Sequence, residues 1–345
     1  MKENFNASPE FKPEIPGYRG RIHYFGEERI PIHLDEYRWE FKTDDGVKDI
    51  PVLSVWNPNN HKQIADAIIR GKRIAMYMWG TFGTGYLVNF PEWQSKDTDE
   101  ATDLREKLKI GRPKNMSFPV LIHPDDEWMF WDFDKLHPDL QHLRNANPRY
   151  NLYQSGPAHI IAPTKSRNPY LDESSKWPLD NTACYYYMPH PAWEKIIEIT
   201  RRYTKHAAFE GGSLNPHSKE PVYRTEDLYS RIQETSRWTE GIDLIAVCEI
   251  SEYYQVFRSQ TQIRLAQKGS DGISEVIRRG SMLPERWAGK QNIRIKDNEE
   301  GVNKASSLWS YTKAIDDEVD RRVVTSMAQM KKFEETDAKI LQKAI

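Results

Sequence analysis

Short apolar runs bounded by turn residues recur along this chain: Ile74 to Trp79, Val120 to His123, Ile160 to Ala162, the aromatic stretch from Ala183 to Met188, Ile242 to Ile250, and Tyr254 to Leu265. Runs of this length, rich in β-branched and aromatic residues, read as strands. Helical spacings lie between them. His61 to Arg70 stops at Gly71, and Asp99 to Leu108 stops near Gly111. Pro191 opens a helix to about Thr204 with Trp193, Ile196, Ile197 and Thr200 on one face, and Thr225 to Ser236 is a further helix. Strands and helices follow no regular strand–helix–strand repeat. The expected fold is therefore α+β or α/β, built on a twisted mixed sheet with flanking helices.

The ends of the chain differ from its middle. Residues 1–60 carry Pro9, Pro13, Pro16, Pro31, Pro51 and Pro58, and read as an N-terminal extension with two or three short strands. Residues 61–290 form the expected domain. In the tail, residues 291–345, a long helix begins at about Lys304, with Ile315, Val319, Val323, Met327 and Met330 recurring every three or four positions. That stripe is expected to dock on the domain, the alternative being a second chain.

Composition excludes several classes. With 38% hydrophobic residues and a mean hydropathy of −0.78, a core forms beneath a very polar surface. No run approaches the length of a membrane span, and no apolar stretch follows Met1. Cys184 and Cys248 are too few for a disulfide framework and suit a reducing compartment, so a cytoplasmic location and no membrane partner are expected. The net charge of −2 gives no global footprint for nucleic acid. Basic residues cluster locally, with five from Arg105 to Lys114 against Glu106, and eight from Arg264 to Lys296 against Asp271, Glu275 and Glu285. Such runs are solvated faces or the walls of an anion site.

Five short segments carry candidate chemistry. Gly80-Thr81-Phe82-Gly83-Thr84-Gly85 follows a strand and has the composition of a phosphate cradle, or of a plain glycine turn. It is not a Walker A loop, since Tyr86-Leu87 stands where Lys and Ser/Thr are required. Lys109 and Arg112 place cations at a helix exit, where they bind phosphate or favour the helix dipole. Ser213 and Asn215 offer a hydroxyl and an amide for carboxylate, ribose or phosphate, or form a turn before Pro216. Ser259 and Thr261 alternate along a strand and so face one side, and Arg278 or Arg279 is placed to reach it. The histidines lack partners at metal-ligand spacing, so no resident metal site is expected.

In their order, these segments resemble the YrdC-like family, the threonylcarbamoyl-AMP synthases and their relatives. Gly71-Lys72-Arg73-Ile74-Ala75 leading to Trp79-Gly80-Thr81-Phe82-Gly83-Thr84-Gly85 is similar to the family's first helix exit and turn. Ile110-Gly111-Arg112-Pro113 resembles its Lys-x-Arg-Pro, and Ser155-Gly156-Pro157-Ala158-His159 its Pro-Gly-Pro-x-Thr. Ser213-Leu214-Asn215-Pro216-His217-Ser218 resembles its Ser-Ala-Asn-x-Ser-Gly. Ser259-Gln260-Thr261 and Ile277-Arg278-Arg279-Gly280 resemble its closing strand and arginine.

The resemblance implies a YrdC-like mixed sheet around a deep cavity over residues 61–290. It implies nucleotide and substrate binding by Thr81, Lys109, Arg112, Ser213, Asn215, Ser259, Thr261 and Arg278. It implies ATP, bicarbonate and an amino acid as ligands, with Mg2+ as counter-ion, and formation of a carbamoyl adenylate; related domains bind double-stranded RNA. Ile110 stands in the family's lysine position, Tyr187 where an arginine is expected and His159 where a threonine is. Each lost charge-assisted bond to phosphate removes about 1.5–3 kcal/mol. Two other readings therefore stand beside the enzyme: a non-catalytic nucleotide- or RNA-binding protein, and a tailoring enzyme for a small metabolite.

Overall fold

The computed structural model describes residues 12–78, 81–87, 119–153, 158–165, 176–177, 181–187, 190–204, 208–215, 221–234, 236–254, 260–280, 283–298 and 313–344. β1 (Ile22–Phe25) and β2 (Ile30–His33) form an antiparallel pair. The remaining strands are β3 (Tyr37–Thr43), β4 (Gly46–Ser54), β5 (Ile74–Met78), β6 (Thr81–Leu87), β7 (Val120–Ile122), β8 (Ala158–Pro163) and β9 (Lys176–Trp177). They continue with β10 (Thr182–Tyr186), β11 (Ala208–Ser213), β12 (Leu244–Val247), β13 (Thr261–Arg264), β14 (Ser274–Arg278) and β15 (Ile295–Asp297). These join in one 13-stranded mixed sheet of order β15-β14-β13-β8-β10-β7-β11-β6-β5-β12-β4-β3, with β9 paired to β10. The expected mixed α/β sheet is what the chain forms.

Burial explains why the strands were readable as apolar runs. β8, β10 and β12 are buried at every position, so both of their faces need apolar side chains. β3 alternates instead, burying Trp39 and Phe41 against Tyr229 of the helix α4 (Thr225–Glu234). The segment expected as an N-terminal extension supplies β3 and β4, and β4 pairs in parallel with β12.

Seven other helices are described: α1 (Pro58–Ile69), α2 (Ala146–Tyr153), α3 (Pro191–Thr204), α5 (Ser236–Gly241), α6 (Glu249–Tyr253), α7 (Pro284–Gln291) and α8 (Lys313–Ala344). Asn57 caps α1 by accepting from the Asn59 N–H at 3.1 Å, Pro58 opens it, and Gly71 (φ +72°) ends it. The Asn57 side chain also donates to Leu34 O, tying α1 to the segment after β2. Asn57→Ala is expected to cost about 1–2 kcal/mol, measured as a lower urea midpoint with unchanged slope.

Ile242 to Ile250, expected as one strand, divides into β12 and the start of α6. Glu249 and Glu252 are both buried and are three residues apart, a spacing that places them on one side of a helical turn but on opposite faces of a strand. Glu249 accepts from Ser54 Oγ (2.8 Å) and the His33 N–H (3.1 Å), and its Oε1 lies 2.9 Å from His33 Nδ1. Glu252 accepts from the Thr225 N–H (2.7 Å) and Oγ1 (2.6 Å). Helix α8 meets this hub near Met330: Ser251 Oγ donates to Met330 Sδ at 3.3 Å, and Phe333 packs edge-on to Phe25 and Trp56. The side chains of Ile315, Val319 and Val323, and residues 299–312, lie outside the described residues.

Candidate functional site

Paired residues of neighbouring strands share a sheet face, and alternate residues along a strand return to it. The register joins Gln262, His159, Tyr186, Leu121 and Phe209 in one row across β13, β8, β10, β7 and β11. Arg278 pairs with Gln262, and Ser213 lies two alternations beyond Phe209, so Arg278, His159 and Ser213 belong to one face. Tyr185 belongs to the other, where Trp131 and Phe130 cover it.

At the β14 end of this face lies a compact polar group. His159 and Tyr186 are buried with ring centroids 5.2 Å apart, and the Gln262 amide lies 3.2 Å from His159 Nδ1. Burial and then the neighbouring Arg278 push His159 down to about 3, so its imidazole is neutral at physiological pH. The Arg278 guanidinium donates from Nε to Gln260 O at 3.0 Å. Burial also lowers its pKa, and no carboxylate pairs with it among the described residues. Its neighbour Arg279 contrasts with it, pairing with Asp297 (2.9 Å) and with Glu285. Arg278, not Arg279, is therefore the cation presented to this face. A half-buried guanidinium without an acid is an arrangement that an anion completes.

The β11 end has a different character. Ser213 pairs with Gly83 and Gly211 with Gly85, so these four face positions carry nothing larger than a hydroxymethyl group. Glycine here permits a ligand or another backbone to come close to the sheet. The segment expected as a phosphate-cradling turn is instead the interior strand β6, laddered to β5 and to β11. Its amides serve those ladders and are not gathered on an anion, so the contribution of Gly83 and Gly85 is steric. Thr81 opens β6 opposite Met78. Asn215 is buried, and its N–H donates to Ser213 O at 3.0 Å.

The other expected residues divide as follows. Thr261 is fully buried opposite Ala158, on the face of Ile263, and its Oγ1 accepts from the Gly280 N–H at 3.1 Å. It holds the turn after β14 in place beside Arg278. Lys109, Arg112 and Ser259 lie outside the described residues. Arg278 and Ser213 stand five inter-strand steps apart, roughly 24 Å across a flat sheet and less across a coiled one. His159, Tyr186 and Gln262 were not among the expected binding residues; of the three, His159 alone had been singled out, at a position where the resemblance calls for a threonine.

Tyr187 occupies the position where the resemblance calls for an arginine. Its hydroxyl donates to Glu194 Oε1 at 3.1 Å and lies 3.1 Å from the Tyr150 hydroxyl, with the His123 ring 5.4 Å away. Burial raises Glu194 and lowers His123. This corner is a hydrogen-bonded network in which Tyr187 itself supplies no cation.

No family model matches the chain, and neither does any curated protein. Among solved structures the chain is similar to P. abyssi Sua5 complexed with L-threonine, at 18% identity and a TM-score of 0.48 over 71% of this chain and 62% of that one. It is similar to E. coli YciO, at 13% identity and a TM-score of 0.48 over 68% of this chain and 97% of that one. It is also similar to T. kodakarensis HypF, at 17% identity and a TM-score of 0.46 over 72% of this chain and 27% of that one. The chain thus spans about three fifths of the length of the Sua5 structure. Among the described residues, no helix is long and apolar enough to cross a membrane.

Proposed function

We infer that this chain is a divergent YrdC-like nucleotide-binding protein, and that the face bearing Arg278, His159 and Ser213 receives the nucleotide. The observation that carries this reading is Arg278, a half-buried guanidinium beside buried His159 with no carboxylate paired to it among the described residues. A phosphate group is the natural counter-charge, held through paired N–H donors. Neutral His159 adds a polar, uncharged neighbour that neither repels the phosphate nor neutralises it. The glycine positions around Ser213 leave room for the remainder of an elongated ligand.

In the finer form of this reading, the protein forms a carbamoyl adenylate. An amino acid's amine attacks the carbon of bicarbonate and water leaves, giving a carbamate; the carbamate oxygen then attacks the α-phosphate of ATP, and pyrophosphate leaves. Arg278 with Arg112 and Lys109 would neutralise phosphate charge, while Ser213, Asn215, Thr81 and Ser259 would orient the ligands. No group of three or more metal-ligating side chains is gathered among the described residues, so Mg2+ would arrive with the phosphates as their counter-ion. A cytoplasmic location accompanies this reading.

The loss of a cation at Tyr187 favours a second reading, nucleotide or RNA binding without chemistry. Pyrophosphate release from ATP with bicarbonate and threonine separates the two. Release dependent on all three supports the enzyme, whereas ATP binding with no release for any amino acid supports the binding protein. Arg278→Ala, Arg112→Ala and Asn215→Ala are each expected to abolish the rise in Tm that ATP gives the wild type. Wild-type shifts in all three would place the nucleotide elsewhere.

A further inference from the structure

A second cleft of about 330 Å³ lies between the start of α1, the length of α3 and the side of α8, and is lined by none of Arg278, His159 and Ser213. Its floor is a fixed aromatic group. Trp56 is buried with its ring centroid 4.9 Å from Phe333 and 4.7 Å from His190, and Val55 and Ile199 add apolar wall. His61 closes the floor, its Nε2 lying 2.8 Å from Val55 O.

The rim carries both signs of charge. Lys62 pairs with Asp66 and Arg202 with Glu198, each at 2.5 Å. Lys195 and Glu334 also line the cleft, are exposed, and have no ion-pair partner among the described residues. Lys195 follows Pro191, which opens α3, and Pro58, which opens α1, lines the same cleft. Lys195 of α3 supplies the positive charge of the rim and Glu334 of α8 the negative. The volume falls at the lower end of small-molecule sites.

We propose that this cleft is a second ligand site, specific for a small zwitterion with an apolar body, of the class of a large apolar amino acid. Its carboxylate meets Lys195, its ammonium meets Glu334, and its side chain lies on Trp56 and Phe333. Isothermal titration with L-phenylalanine tests this, with 3-phenylpropanoate and phenethylamine as probes that each keep one charge. Saturable one-to-one binding is expected, about tenfold tighter for L-phenylalanine than for either probe, since one charge-assisted bond contributes at least that factor. Lys195→Met should weaken L-phenylalanine about tenfold and leave phenethylamine unchanged, whereas Glu334→Gln should weaken it about tenfold and leave 3-phenylpropanoate unchanged. Both residues are exposed, so the variants keep the fold, and Arg278→Ala should bind L-phenylalanine as the wild type does. Absence of saturable binding at millimolar L-phenylalanine overturns the proposal. So does wild-type affinity in both rim variants, or loss of binding in Arg278→Ala.

Discussion

Arg149→Met should lower stability by about 3–5 kcal/mol, the cost of breaking a buried ion pair from one side. Arg149 and Glu127 are both buried, with Nε 3.2 Å from Glu127 Oε2. The same guanidinium donates to Pro124 O (2.8 Å), Leu143 O (2.9 Å) and Arg144 O (2.7 Å), so it also closes the loop between β7 and α2. Methionine fills much of the volume but leaves three carbonyls without this donor and Glu127 with Tyr153 as its remaining hydrogen-bond donor. Burial already pushes Glu127 up, and losing the cation leaves the Tyr153 hydrogen bond to oppose it. Urea denaturation measures the loss. Adding Glu127→Gln should restore part of it, because the unpaired acid is then gone; equal stability of Arg149→Met and wild type would show that the pair contributes nothing.

Stability should form a dome with pH, and its alkaline side should depend on Glu252. Burial raises Glu252 to about 8 in the fold, from an ordinary value of 4.5. A carboxyl raised on folding holds its proton more tightly when folded. Its contribution is therefore complete below about 4.5 and is lost as pH climbs through about 8, on the order of 4 kcal/mol over that window. His190 and His159 act in the opposite sense. Burial lowers each to about 3 from 6.5, so their contributions are complete above about 6.5 and are lost as the solution is acidified towards 3. Midpoints of urea denaturation across pH 5 to 9 test this. Glu252→Gln keeps an acceptor for Thr225 and should reduce the alkaline fall while leaving the acid side in place; Glu127, which burial also raises to about 8, supplies the remainder. An alkaline side unchanged in that variant would remove Glu252 from the account.

The sequence made some elements plain and concealed others for physical reasons. Strands buried on both faces announce themselves, and Ile160 to Ala162 falls within β8 as read. The alternation of Tyr37 to Phe41 was legible as a short strand, β3, whereas β4 was obscured by Pro51 and by the charged Lys48 and Asp49. Pro51 is tolerated within β4 because the ladder to β12 starts only at Val52, so its missing N–H leaves no gap there. The Glu249 to Tyr253 turn was hidden because its acids are buried by partners as distant as His33 and Thr225, which no local pattern reveals.

The candidate site divides in the same way. Ser213 and Arg278 were legible by residue type and order. Which of Thr261 and Gln262 faces a ligand depends on register with β8, a relation between segments about a hundred residues apart. The glycines of β6 were legible as glycines, but their part in a strand depended on β5 and β11 closing around them.

The central claim is that Arg278 is the anion-binding point of the nucleotide face. A crystal structure of the protein with ATP tests it most directly. A phosphate oxygen within about 3 Å of the Arg278 guanidinium, with the rest of the nucleotide running along the face of His159 towards Ser213, is the predicted result. ATP bound on another surface, with Arg278 still bonded only to Gln260 O, would contradict it.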